Sequence, residues 1–300
     1  MMAPFLSAVQ STAVSVSCNS SLSPGTVMVN ISGIPIPLPV LVTHGATDLV
    51  SITNGTKLTL LHGSRAYLGS TCVDNFEPDS FAQLDLMGRV LSFETDLSRV
   101  SCGCNAAFYL VSMPAIDDSG TPAPTHDGDY YCGANAGKHG GVYCPEIDIM
   151  EANRAAMHIT PHRCDPPAKS GHYTACDGPG YNLTTQSNPA FGPRAVHGGI
   201  DTRLPFRQSM HFATCGGDDL CRIETTLTQG TSQLRLVHDN VTYVQDLSRA
   251  LDGMVAVFSH WGFGGNVMQW LDVPPCDVQA ACDATGQVTF SDLAISARSR

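Results

Sequence analysis

Cys144-Pro145-Glu146-Ile147-Asp148-Ile149-Met150-Glu151-Ala152-Asn153 is the stretch on which the reading of this 300-residue chain turns. In an extended strand alternate residues share a face, so Glu146 and Asp148 point one way and Ile147 and Ile149 the other. Isoleucines opposite the acids, with Cys-Pro ahead of them, predict a central strand. Glu151 follows Glu146 by five positions, which strict alternation sends to the opposite face. A β-bulge near Met150 absorbs one residue and returns Glu151 to the face of the other acids.

Working outward, short strands separated by turn clusters are expected at 56–62, 91–97, 106–113, 208–214, 223–228, 233–237, 254–261, 268–273 and 288–295. Leu91, Phe93, Thr95 and Leu97 alternate with polar residues, the mark of a strand buried on one face. A short helix is expected near 243–252, from Val244, Leu247 and Leu251 at i, i+3 and i+7, with Gly253 as a C-cap candidate. Many strands, one helix and no βα alternation predict an all-β antiparallel sandwich. Residues 1–45 read as a poorly specified lead-in, and 46–300 as one domain. Two long Gly/Pro/Asp/His-rich stretches, 114–140 and 165–203, flank the acidic strand; loops of that length in a compact domain are usually functional or disordered.

Composition narrows the function. Sixteen Lys and Arg against 27 Asp and Glu give a net charge of −11, the opposite of a phosphate-tracking groove, so nucleic acid is not an expected partner. Mean hydropathy is +0.00, and no run approaches the ~20 apolar residues of a membrane helix. The twelve cysteines include no C-x-x-C, and an even, scattered set reads as disulfides made in an oxidising compartment. Sequons at Asn19, Asn30, Asn54, Asn182 and Asn240 agree with secretion. The opening MMAPFLSAVQSTAV lacks the basic and apolar regions of a convincing signal peptide. No cofactor or metal is expected: His158 and His162 are four apart, but Pro161 between them disfavours the helix that would pair them.

The acids themselves suggest a chemistry. With the bulge, Glu146 and Glu151 lie roughly 13 Å apart at Cα. Inward-leaning side chains then bring the carboxyls toward the ~5–5.5 Å spacing of a retaining glycosidase. Like charges push pKa values apart, so one glutamate is expected to stay protonated while another ionises. An isolated E-x-D-x-x-E on a surface strand is more often a solvated acidic face or a calcium site; the flanking isoleucines argue against both here.

The run Glu146–Asn153, followed by Thr160-Pro161-His162-Arg163-Cys164, resembles the E-M-D-x-W-E-A-N … T-P-H-x-C signature of glycoside hydrolase family 7, the cellulases. Further collinear blocks are Gly63–Leu68 (G-S-R-x-Y-L), Leu91–Leu97 with Cys102–Tyr109, Ile200–Phe206 (I-D-T-x-x-P-F), and Gly253–Trp261 with Gln269–Asp272. The resemblance spans about residues 46–297 and implies a concanavalin-like β-jelly roll holding a β-1,4-glucan. By motif position it implies Glu146 as nucleophile, Glu151 as general acid/base, Asp148 hydrogen-bonded to Glu146, and His162 on the leaving-group side. Trp261 and Trp270, the only tryptophans, fall at sugar-stacking positions. Asn105 and Tyr109 would reach the sugar next to Glu146, and Arg65 would bind the same face. The family pattern pairs Cys132 with Cys144 and Cys164 with Cys176. It also ties Cys102 to Cys276 or Cys282; Cys215 and Cys221 are close enough to pair locally, and partners for Cys18, Cys72 and Cys104 stay open.

The departures are specific. Met150 stands for the signature tryptophan, Gly262-Phe263 follow Trp261 where Asp-Asp is usual, and the Y-C-D-x-Q-C loop is reduced to Tyr131-Cys132-Gly133-Ala134-Asn135. Shortened loops leave a groove open to internal attack. The expected activity is therefore retaining, endo-acting hydrolysis of β-1,4-glucan by a secreted monomer. A β-1,3 or mixed-linkage glucanase and a catalytically silent carbohydrate-binding protein on the same sandwich are the alternatives.

Overall fold

The computed structural model describes Cys18 and residues 20–217, 219–277 and 279–297. The sequon at Asn19 and residues 1–17 of the expected lead-in lie outside the described residues. The strands run β1 (Gly25–Ile31), β2 (Ile34–Val42), β3 (Val50–Thr53), β4 (Lys57–Leu61), β5 (Ser64–Leu68), β6 (Arg89–Asp96), β7 (Cys104–Val111), β8 (Glu146–Ala152) and β9 (Met157–His162). They continue with β10 (Leu183–Thr184), β11 (Phe191–Gly192), β12 (Ile200–Asp201), β13 (Phe206–Thr214), β14 (Leu220–Gln229), β15 (Ser232–His238), β16 (Val255–Gly262) and β17 (Gln287–Ala297).

One sheet takes fifteen of them, in the order β10-β9-β8-β7-β16-β5-β2-β1-β17-β6-β13-β14-β15 with β3 and β4 alongside β17. It curls at the β1–β2 hairpin until its halves face each other, the β-jelly-roll sandwich that the sequence predicts. Phe108 and Phe258 from one half stack at 4.3 Å and meet Phe93 and Phe290 from the other at 4.9 and 5.1 Å. These rings are fully buried and anchor the main core. A second cluster, including Leu41, Tyr67, Phe81, Val111 and Val257, lies on the opposite face of the first half. Every residue of β7 is therefore buried. Loops cover the ends of this face, and the cleft is cut into its middle.

Three expectations need correction. Residues 25–42 do not merely lead in: β1 and β2 pair along their length and bury Val27, Val29, Val40 and Leu41. The strand Ile34-Pro35-Ile36-Pro37-Leu38-Pro39 is hard to read because proline lacks a ladder donor. Pro35, Pro37 and Pro39 alternate, so their missing N–H groups all fall on the side away from β1, where β2 meets β5 only from Val40 onward. The helix expected at 243–252 is a five-residue α1 (Val241–Gln245), capped by Asn240 Oδ1 accepting from Tyr243 N–H. Beyond it, i→i+3 bonds tighten the chain into turns and a 3₁₀ turn at Ala250–Asp252. Val244, Leu247 and Leu251 are buried as their stripe demands, and Gly253 is extended (φ −178°) rather than a left-handed cap. Residues 268–273 form no strand; a 3₁₀ turn at Gly265–Met268 and a further turn bury Met268 and Leu271 together against Ala156. Their i, i+3 spacing suits a turn, whereas a strand would have split them between faces.

Among the described residues every cysteine is paired: Cys18–Cys72, Cys102–Cys276, Cys104–Cys282, Cys132–Cys144, Cys164–Cys176 and Cys215–Cys221. Cys132–Cys144 ties the loop after β7 to the start of β8, and Cys164–Cys176 closes the loop after β9. Among the described residues no helix is long and apolar enough to cross a membrane.

Candidate active site

The bulge sits in β8. Phe108 pairs with Met150 and Tyr109 with Asp148, leaving Ile149 without an opposite residue on β7. Ile149 and Met150 consequently both enter the main core, and Glu151 returns to the face of Glu146 and Asp148. Ile149 O accepts a hydrogen bond from Gln208 Nε2 (2.7 Å), a buried side chain on β13 in the opposite half of the sandwich. A carbonyl that the ladder leaves out would otherwise cost roughly 1–3 kcal/mol.

Two adjoining hollows, of about 770 and 460 Å³, meet over the three acids. Tyr131, Glu146, Asp148, Glu151 and Trp261 line both. One extends past His158, His162 and Trp270, the other past Arg65, Tyr109 and Phe263. Neighbouring strands set these positions by register: β9 places His162 opposite Glu146 and His158 opposite Glu151, while β16 places Trp261 opposite Asn105 of β7. Trp261 and Trp270 have ring centroids 6.5 Å apart with planes tilted by 32°. Arg65 lies over the Tyr131 ring, 4.2 Å from its centroid.

Each acid has its own partner. Glu146, 9% exposed, accepts the Ala134 N–H (2.7 Å). Glu151 accepts from Asn105 Nδ2 (2.8 Å). Asp148 meets His162 Nε2 at 2.8 Å, and no hydrogen bond joins it to Glu146 among the described residues. His162 Nδ1 faces the Asp177 carbonyl at 2.8 Å. A carbonyl only accepts, so Nδ1 carries a hydrogen, and one further proton is shared between Nε2 and Asp148. Burial, reinforced by the Asp148 charge, pushes Glu146 up to about 8; burial pushes Asp148 to about 8; burial and the Asp148 charge do the same to Glu151. The Ala134 and Asn105 hydrogen bonds pull Glu146 and Glu151 back down. Three acids this poorly hydrated disfavour one another's ionisation, so their titrations are coupled across the cluster. Such a group can hold one protonated and one ionised glutamate side by side.

Asn105 is fully buried and acts on Glu151; it does not line the cleft as the sequence reading supposed. Tyr109, Arg65, Trp261 and Trp270 do line it. Sequence reading missed several contributors. The Ala134 donor is a backbone group, and no side-chain identity reports it. His158, set aside with the metal pair, accepts at Nδ1 from Asn182 Nδ2 (2.9 Å), and its ring stands edge-on to Trp270. Tyr131, whose sequence context is only a shortened loop, lines both hollows. Among the described residues, the two places where three potential metal ligands converge, around His260 and Asp272, use sulfurs already in the Cys104–Cys282 and Cys102–Cys276 disulfides.

The profile of glycosyl hydrolase family 7 matches residues 42–137, ending before the acidic strand. Similarity to curated relatives continues through it. Endoglucanase type C of Fusarium oxysporum is 27% identical over an alignment covering 81% of this chain and 71% of the relative. The chain is thus similar to glycosyl hydrolase family 7 both in the profile match and in its curated relatives. Endoglucanase 1 of Pyricularia oryzae is 26% identical, covering 83% and 74% of the two chains. Among solved structures, an endoglucanase I complexed with cellobiose superposes with a TM-score of 0.71 at 20% identity, over 93% of this chain and 97% of that one. The native endocellulase EGI of Humicola insolens gives 0.66 at 20% identity, covering 90% and 95%. The β-jelly roll of these structures is thus the fold of this chain.

Proposed function

We propose that this protein is a retaining β-1,4-glucanase that cuts internally in a chain lying across the open cleft. The observation that carries this is the placement of Glu146, Asp148 and Glu151 on one strand face, at the junction of two hollows flanked by tryptophans. The family's curated endoglucanases act as its analogues. In this reading Glu146 attacks the anomeric carbon while Glu151 protonates the departing glycosidic oxygen. Glu151, now ionised, takes a proton from the water that releases the glycosyl-enzyme ester with overall retention. Asp148 and His162 hold one proton between them beside the reacting carboxylates, and Asn105 orients Glu151. Arg65 and Tyr109 bind the chain on one side of the acids; Trp261 and Trp270 stack against sugar faces. No cofactor takes part. The protein works as a secreted monomer, in keeping with six disulfides, and its hydrolase domain includes the β1–β2 hairpin together with residues 46–300.

Reducing-sugar release from carboxymethylcellulose and mixed-linkage glucan, with Glu146→Gln alongside, tests this. Release from carboxymethylcellulose that disappears in the variant is the expected result. Release only from mixed-linkage glucan would move the substrate, and cello-oligosaccharide binding without release would make the protein a binder.

A further inference from the structure

Two departures from the family pattern stand together at the end of β16. A side chain at Gly262 has no room: its Cβ would come within 2.2 Å of the Gly103 carbonyl oxygen and 2.7 Å of the Cys282 Cβ. The Cys104–Cys282 disulfide occupies the space beside it, which excludes at 262 the aspartate of the family pattern. The next residue, Phe263, is 57% exposed, an uncommon setting for a large apolar ring. It is not an isolated surface phenylalanine. It lines the hollow that holds Arg65 and Tyr109, over the same acids. Its centroid lies 5.8 Å from that of Trp261, with planes at 58°, and Trp261 leads on to Trp270 at 6.5 Å. Three rings therefore follow one wall of the cleft past both hollows. The adjoining segment is stapled by Cys102–Cys276 and Cys104–Cys282, so little chain entropy remains to be lost when a ligand settles on it.

The geometry points to Phe263 as an additional sugar-stacking residue of this chain, on the Arg65 side of the acids. The inference rests on the β-glucan reading above. A β-linked glucosyl unit offers C–H faces above and below its ring and hydroxyls around the edge. An aspartate at this place would address the hydroxyl edge; a phenyl ring covers a C–H face. The added contact reaches only oligosaccharides long enough to extend to that end of the cleft.

The test compares wild type, Phe263→Ala and Phe263→Tyr on cello-oligosaccharides of three to six units, by hydrolysis kinetics and titration calorimetry. Phe263→Ala should raise KM and weaken binding of the six-unit ligand about twofold to tenfold, the three-unit ligand distinctly less, with Phe263→Tyr close to wild type. The ring is exposed, so thermal melting should hardly change in either variant. Unchanged KM in Phe263→Ala at every length, or an equal loss at every length, overturns the assignment. A wild-type protein that neither binds nor cleaves any of the ligands defeats the glucanase reading itself, a result distinct from either.

Discussion

Replacing Glu146 by Gln should stabilise the protein at neutral pH and leave it nearly unchanged in acid. Glu146 is 9% exposed and accepts one hydrogen bond, from Ala134 N–H, which a glutamine carbonyl oxygen keeps. Burial and the neighbouring Asp148 charge raise its pKa from 4.5 to about 8. A raised folded-state value means that the folded chain holds the proton more tightly than the unfolded one. The resulting stability is complete below 4.5 and is lost as pH rises through 8. By pH 7 about 2.5 pH units of that window have been crossed, worth roughly 3 kcal/mol at about 1.36 kcal/mol per unit. That is a ceiling, because Asp148 and Glu151 compete for the same protons. Glutamine does not titrate, so Glu146→Gln should gain on wild type between pH 4 and 7 by up to about 3 kcal/mol. At about 1.6 °C per kcal/mol for a chain of this length, the melting temperatures should diverge by up to about 5 °C. Differential scanning calorimetry of both proteins at half-unit pH steps reads this directly. Melting curves that stay parallel from pH 4 to 7, or a variant that loses ground as pH rises, would refute the argument that burial governs this carboxyl.

Other outcomes follow from single contacts. Asn105→Ala removes the donor that favours ionised Glu151, so the limb of the pH–kcat profile set by Glu151 should move up by about one pH unit; an unmoved limb would detach Asn105 from the chemistry. Gln208→Leu leaves the Ile149 carbonyl unpaired in the core, and urea titration should register a loss of about 1–2 kcal/mol. Gly262→Ala drives a methyl into the Gly103 carbonyl and the Cys104–Cys282 disulfide, and should cost about 3 kcal/mol or more in thermal unfolding. A Gly262→Ala protein as stable as wild type would mean that the end of β16 moves freely, and the rigid setting claimed for Phe263 would fail with it.

The acidic strand was legible because two local rules meet in it. Period-2 alternation put Ile147 in the core, and five-residue spacing between the glutamates demanded a bulge where Ile149 now stands. The alternation of β6 was equally open, with Leu91, Phe93 and Thr95 all buried. The prolines of β2 hid a strand because proline's cost depends on which side of a ladder it faces, a property of the partner strands. Residues 268–273 misled because apolar spacing over so few positions fits a strand or a turn until the neighbouring Ala156 is seen.

What the sequence by itself determined was the all-β class, the acidic strand and the set of cysteines, since these rest on residue type and short-range period. Only the tertiary structure decided the partners: His162 on Asp148, Asn105 on Glu151, Ala134 N–H on Glu146, and Gln208 reaching across the core to the bulge. Those contacts join residues 12 to 59 positions apart, and two of them end on backbone atoms. Outside proline, backbone donors and acceptors are the same in every residue, so their roles become visible only when the chain has folded around them.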